Sequence, residues 1–128
     1  MKRLFVLLIL LSVMFSVCGC AKTSLNTSAD VTLTYVYDEK NICVALEDAE
    51  AEKVISILNG NTYDPALAGV PSCGFDENVS LKVGDQVFAI ALDDCDYILD
   101  IGKNRYFTIP SEYMVYIRSL FEKYGGRV

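Results

Sequence analysis

The sequence predicts an α+β domain: an antiparallel sheet built from a hairpin and a meander, in the order ββαββββα, with two helices packed on one face. Short runs rich in branched and aromatic residues, bounded by turn residues, recur through the chain and read as strands. Two other segments repeat apolar residues every three or four positions, the spacing of a helix with one buried stripe. The links between successive strands are only a few residues long, which favours antiparallel neighbours.

The first strand is VTLTYVYD at 31–38, where Thr alternates with apolar residues, and the second is NICVALE at 41–47, with Asp38 to Asn41 as the turn. Asp48 opens a helix, where its carboxylate can cap free amides. Glu50 and Glu52 favour the first turn, and Ala51, Val54, Ile55 and Leu58 form the stripe. Asn59-Gly60 ends it. The stretch 61–72 (NTYDPALAGVPS) has two prolines, a glycine and no sustained period, so it is a long connection of the kind that often carries function. Strands at 75–81 and 86–92 flank a Gly84-Asp85 turn, a third runs from 97 to 101, and a fourth from 105 to 109 completes the meander. The final helix has Met114, Ile117, Leu120, Phe121 and Tyr124 on its apolar stripe, Ser111 as its expected cap, and Gly125-Gly126 as its stop.

Inventory limits the chemistry. The chain has 128 residues, 11 Lys+Arg, 17 Asp+Glu and no His, a net charge of −6. An acidic chain of this size repels nucleic-acid phosphates, so no nucleic-acid partner is expected. Without imidazole there is no Ser-His-Asp or Cys-His pair and no His-ligated metal. No enzyme activity and no cofactor are expected.

Ahead of the domain lies an address. Met1-Lys2-Arg3 is a short basic start, and residues 4–17 (LFVLLILLSVMFSV) form an apolar core too short for a permanent membrane-spanning helix. Val17-Cys18-Gly19-Cys20 follows: an aliphatic residue, two small ones and a cysteine. This pattern resembles the lipobox of bacterial lipoproteins, with Cys18 as an uncommon second residue. The resemblance covers residues 1–20 and implies removal of 1–19 as a signal peptide and a diacylglyceryl thioether on Cys20. It also implies a location on the outer side of a bacterial membrane. Ala21 in place of Asp after the acceptor implies the outer membrane if the host has one. Loss of the leader leaves 9 basic residues against 17 acidic, a net charge of −8. Residues 20–29 read as a flexible tether and 30–128 as a single domain, standing off from anionic lipid.

Three cysteines then remain in the domain. With Gly84-Asp85 as the turn, facing positions sum to 169, and Cys73 with Cys95 sums to 168. A bulge or frayed strand ends would bring the two within disulfide reach, as an extracytoplasmic compartment permits. The alternative is that all three, Cys43 above all, are small buried thiols. No Cys-x-x-Cys is present to suggest redox catalysis.

Asp93, Asp94, Asp96 and Asp100 crowd one strand and are weak candidates for a calcium site or for paired-carboxylate chemistry, though the EF-hand pattern is absent. Among eight tyrosines, Tyr35, Tyr37, Tyr97 and Tyr106 lie on strands, where they either form a contact surface for a partner protein or envelope ligand or fill the core. The expected function is a membrane-anchored binding domain. The alternatives are a small calcium-dependent or carboxylate-using module at Asp93–Asp100, and an inhibitory lipoprotein acting on an envelope enzyme.

Overall fold

The computed structural model describes residues 21–65 and 71–125; the leader, the proposed lipid acceptor Cys20 and part of the 61–72 connection lie outside the described residues. The fold is α+β, with elements β1 (Val31–Tyr37), β2 (Lys40–Ala45), α1 (Asp48–Leu58), β3 (Phe75–Val83), β4 (Gln86–Ala91), β5 (Tyr97–Asp100), β6 (Arg105–Thr108) and α2 (Ser111–Lys123). The strands form one antiparallel sheet in the order β2-β1-β3-β4-β5-β6. The hairpin therefore joins the meander through β1 beside β3, which α1 makes possible by returning the chain to β1's free side.

Turn chemistry sets the register. Tyr37 faces Lys40 across a two-residue turn in which both Asp38 and Glu39 take positive φ, the geometry that matches the twist of a hairpin. Val83 faces Gln86 across Gly84-Asp85, and Gly84 supplies the positive φ there. That register, with positions summing to 169, holds from Val83 to Ser80 and then slips, so that Phe75 faces Ala91. The slip leaves extra residues in β3, and the segment closes locally with the Asn78 N–H donating to Asp76 Oδ1 at 2.8 Å.

One side of the sheet holds the core. Directly opposed residues share a face, so Val44, Leu33, Leu81 and Phe88 form a continuous apolar row across four strands. Val54, Ile55, Ile57 and Leu58 of α1 and Met114, Ile117, Leu120 and Phe121 of α2 join the same buried cluster, which places both helices on this face. Phe88 and Phe107 meet edge to face at 6.1 Å between ring centres. The helices are also tied together at their ends. The Glu50 carboxylate of α1 pairs with Lys123 and accepts the Tyr124 hydroxyl at 2.6 Å.

The helices begin at Asp48 and Ser111 as expected, but their caps differ. Glu47, not Asp48, occupies the cap position of α1, and its N–H donates to the Glu50 carboxylate at 3.4 Å. Pro110, not Ser111, precedes α2, and the Ser111 hydroxyl donates to Asp96 Oδ2 at 2.5 Å instead of capping amides. In both cases the cap falls one residue earlier, because extended backbone at Glu47 and Pro110 already sets the entry angle.

A larger departure lies at residues 21–25, expected to be a free tether. They run along the chain that leaves α1. Lys22 bridges Thr62, Tyr63 N–H donates to the Ala21 carbonyl at 3.1 Å, and Thr23 N–H donates to Asn61 O at 2.8 Å. Thr23 is only 3% exposed and Leu25 only 8%, and both side chains are interior. The Thr23 hydroxyl donates to Leu58 O at 2.6 Å and accepts from Asn61 N–H at 2.9 Å. This strap is a structural part of the domain.

Candidate functional site

The face of the sheet opposite the helices presents residues from all six strands. One row runs across all six strands: Cys43, Thr34, Ser80, Ala89, Leu99 and Tyr106. It is polar over β2, β1 and β3 and apolar over β4, β5 and β6. Phe75 is carried onto this face by the register slip, opposite Ala91, and its ring meets Tyr106 at 5.5 Å between centres. Ala89 and Ala91 beneath are fully buried, since alanine leaves room for larger neighbours to lean across. Val87, Tyr97, Leu99, Tyr106 and Phe75 are half-buried, so each presents part of its surface.

The four candidate contact tyrosines thus separate. Tyr97 and Tyr106 sit on the open face. Tyr35 lies on the helix side, 6% exposed, with its hydroxyl donating to the Tyr124 carbonyl; it fills the core and is not a contact residue. Tyr37 has the same parity but lies beyond the reach of the helices at the end of β1, and is 64% exposed. Cys43 is exposed on the edge strand β2, not a buried thiol, with Thr34 Oγ1 at 3.6 Å from its sulfur.

Cys73 and Cys95 form a disulfide with Cα atoms 6.1 Å apart. The slip in β3 shifts the register to Phe75 opposite Ala91, and the bridge closes just beyond that last pair, where the strands have ended. Arg118 of α2 holds the same corner, its guanidinium donating to the carbonyls of Ala91, Asp93 and Cys95. Sequence reading missed this clasp, because nothing local links Arg118 to a loop twenty-odd residues earlier.

The aspartates do not share one site. Asp93 accepts from Gly74 N–H at 3.4 Å and lies beside the Cys73 and Cys95 sulfurs, which are spent on each other and offer no thiolate. Asp94 is exposed. Asp96 is taken by Ser111. Asp100 is 2% exposed at the far end of β5, accepting the Tyr63 hydroxyl at 2.5 Å and Lys103 N–H at 3.2 Å. It belongs to a buried node with Tyr63, which Lys103 and Arg105 flank at 5.0 and 5.4 Å from the ring centre. Burial, and then the bond to Asp100, hold the Tyr63 phenol well above its ordinary value. The node positions the strap rather than presenting a carboxylate to solvent.

A shallow cleft of about 450 Å³ lies between the 27–32 segment, the end of β2 and the start of α1, with Asp30, Asp48 and Glu52 on its walls. Among the described residues no helix is long and apolar enough to cross a membrane. No family model, curated protein or solved structure matches the chain.

Proposed function

We propose that this chain is a lipid-anchored extracytoplasmic domain that binds a protein or envelope ligand through the apolar half of its open sheet face. The observation that carries the reading is the pairing of a short signal core ending in Val17-Cys18-Gly19-Cys20 with a disulfide in the domain that follows. Disulfides persist where the compartment is oxidising, which suits export. The exposed rims of Tyr97, Tyr106 and Phe75 are of the type enriched at contact surfaces, with large area and little conformational entropy to lose.

Growth with labelled fatty acid tests the anchor: the mature protein carries label, and Cys20→Ser abolishes both label and retention in the membrane fraction. A photo-crosslinker at Thr108, beside Tyr97 on the open face, then tests the surface. It gives a discrete adduct in whole cells that Tyr106→Ser removes. An unlabelled protein, or an adduct indifferent to Tyr106, defeats the corresponding half of the reading.

A further inference from the structure

We infer that the lipidated domain has no stalk: it sits directly on the bilayer with the Tyr63–Asp100 end of the sheet toward the headgroups and the Asp38–Glu39 turn pointing away. The inference rests on acylation of Cys20, proposed above, but goes beyond it to the pose.

The reasoning is one of reach. Nine free residues would span ~16 Å as a flexible coil and let the domain tumble. Here the residue after Cys20 is already fastened, since Ala21 O accepts from Tyr63 N–H. Thr23, Ser24 and Leu25 continue the attachment to Leu58 O, Gln86 Nε2 and Asn59 Oδ1. Only one peptide unit, about 3.8 Å between Cα atoms, separates the acceptor from a residue of the fold. An acyl chain buried in the membrane therefore draws this end of the domain into the headgroup layer.

Charge is mixed at both ends, so reach alone carries the pose. The mature chain is acidic, and Lys22, Lys103 and Arg105 lie near this point. Lys22 is exposed on the strap, Lys103 Nζ donates to the Tyr63 hydroxyl at 3.3 Å, and Arg105 stacks by the same ring. Of the acids at this end, Asp100 is buried and engaged and Asp64 is half-buried with its carbonyl bound by Arg105, while Asp30 and Asp85 are exposed. Lysine and arginine near a bilayer surface are attracted to anionic lipid. The opposite end carries Asp38, Glu39, Asp93 and Asp94 with Lys40 among them, all exposed.

The test uses full-length protein processed in its host and reconstituted into vesicles of phosphatidylethanolamine and phosphatidylglycerol. In a Cys43→Ser background, a fluorophore is placed at Asn104→Cys or at Glu39→Cys, and a headgroup nitroxide lipid is the quencher. The inference expects severalfold stronger quenching at position 104 than at 39. Inserting about ten Gly/Ser residues between Cys20 and Ala21, ~17 Å of flexible chain, should erase the difference without weakening flotation with the vesicles. Equal quenching at both positions in acylated, vesicle-bound protein overturns the pose and leaves the anchor standing. Protein without an acyl chain that fails to float overturns both.

Discussion

At the end of the sheet where β3 begins and β4 finishes, a covalent bond joins Cys73 to Cys95 and the Arg118 guanidinium grips the carbonyls around it. At the opposite end no covalent bond is needed: Thr23 and Leu25 are threaded against the exit of α1, and Tyr63 plants its hydroxyl on a buried Asp100. The first closure acts chiefly by restricting the unfolded chain and tolerates imperfect burial. The second acts only in the folded state, and each of its polar groups must find a partner or cost more than it contributes. The covalent end should therefore respond to reductant, and the other to single atoms and to pH.

The largest effect is expected from breaking the covalent end. Cys73→Ser with Cys95→Ser opens a loop whose ends are 22 residues apart, and should lower unfolding free energy by about 3 kcal/mol in urea titrations. Hydrogen exchange should then quicken around residues 73–75 while the amides of Gly60 and Asn61 stay protected. Thr23→Val, nearly isosteric, strips both hydroxyl bonds from the strap and should cost about 2 kcal/mol, with the exchange pattern reversed.

Tyr63→Phe follows, at about 1.5 kcal/mol at neutral pH, because the Asp100 carboxylate loses a donor. The folded pKa of Tyr63 is raised above its ordinary 10.0, so its contribution is complete below pH 10 and disappears as pH climbs through the folded value. Alkaline melting curves should show this limb in the parent and not in the variant. The smallest effect belongs to Glu50, whose pKa is lowered first by the hydrogen bond from Lys123 and then by that from Tyr124. Its contribution is present above pH 4.5 and lost as pH falls through the lowered value. Glu50→Gln should flatten that acid limb in thermal melts and leave both sheet ends unchanged.

These two ends were unequally legible in the sequence. The covalent one is legible in part: a Gly-Asp turn sets a sum of 169 and Cys73 with Cys95 misses it by one, but the register shifts by three before the cysteines, to 166 at Phe75 and Ala91, and the bridge closes beyond the last paired residues. The noncovalent one is invisible locally. AKTSLNTSA is small and polar, and Thr23 with Leu25 makes an alternation too brief to register as a strand; its partners arrive more than thirty residues later. Asp100 is near Asp93, Asp94 and Asp96 along the chain, but β5 lies between, and four extended residues span ~13 Å. Tyr35 and Tyr37 share parity, so alternation alone cannot tell the one under a helix from the one past its end.

The strap also carries a timetable. Thr23 must wait for Leu58, 35 residues on, and Ser24 for Gln86, 62 residues on. At ~5–20 residues per second of synthesis, Gln86 is not made until about 3–12 s after Ser24. Whatever needs this stretch extended must act before then, because completion of the fold binds it.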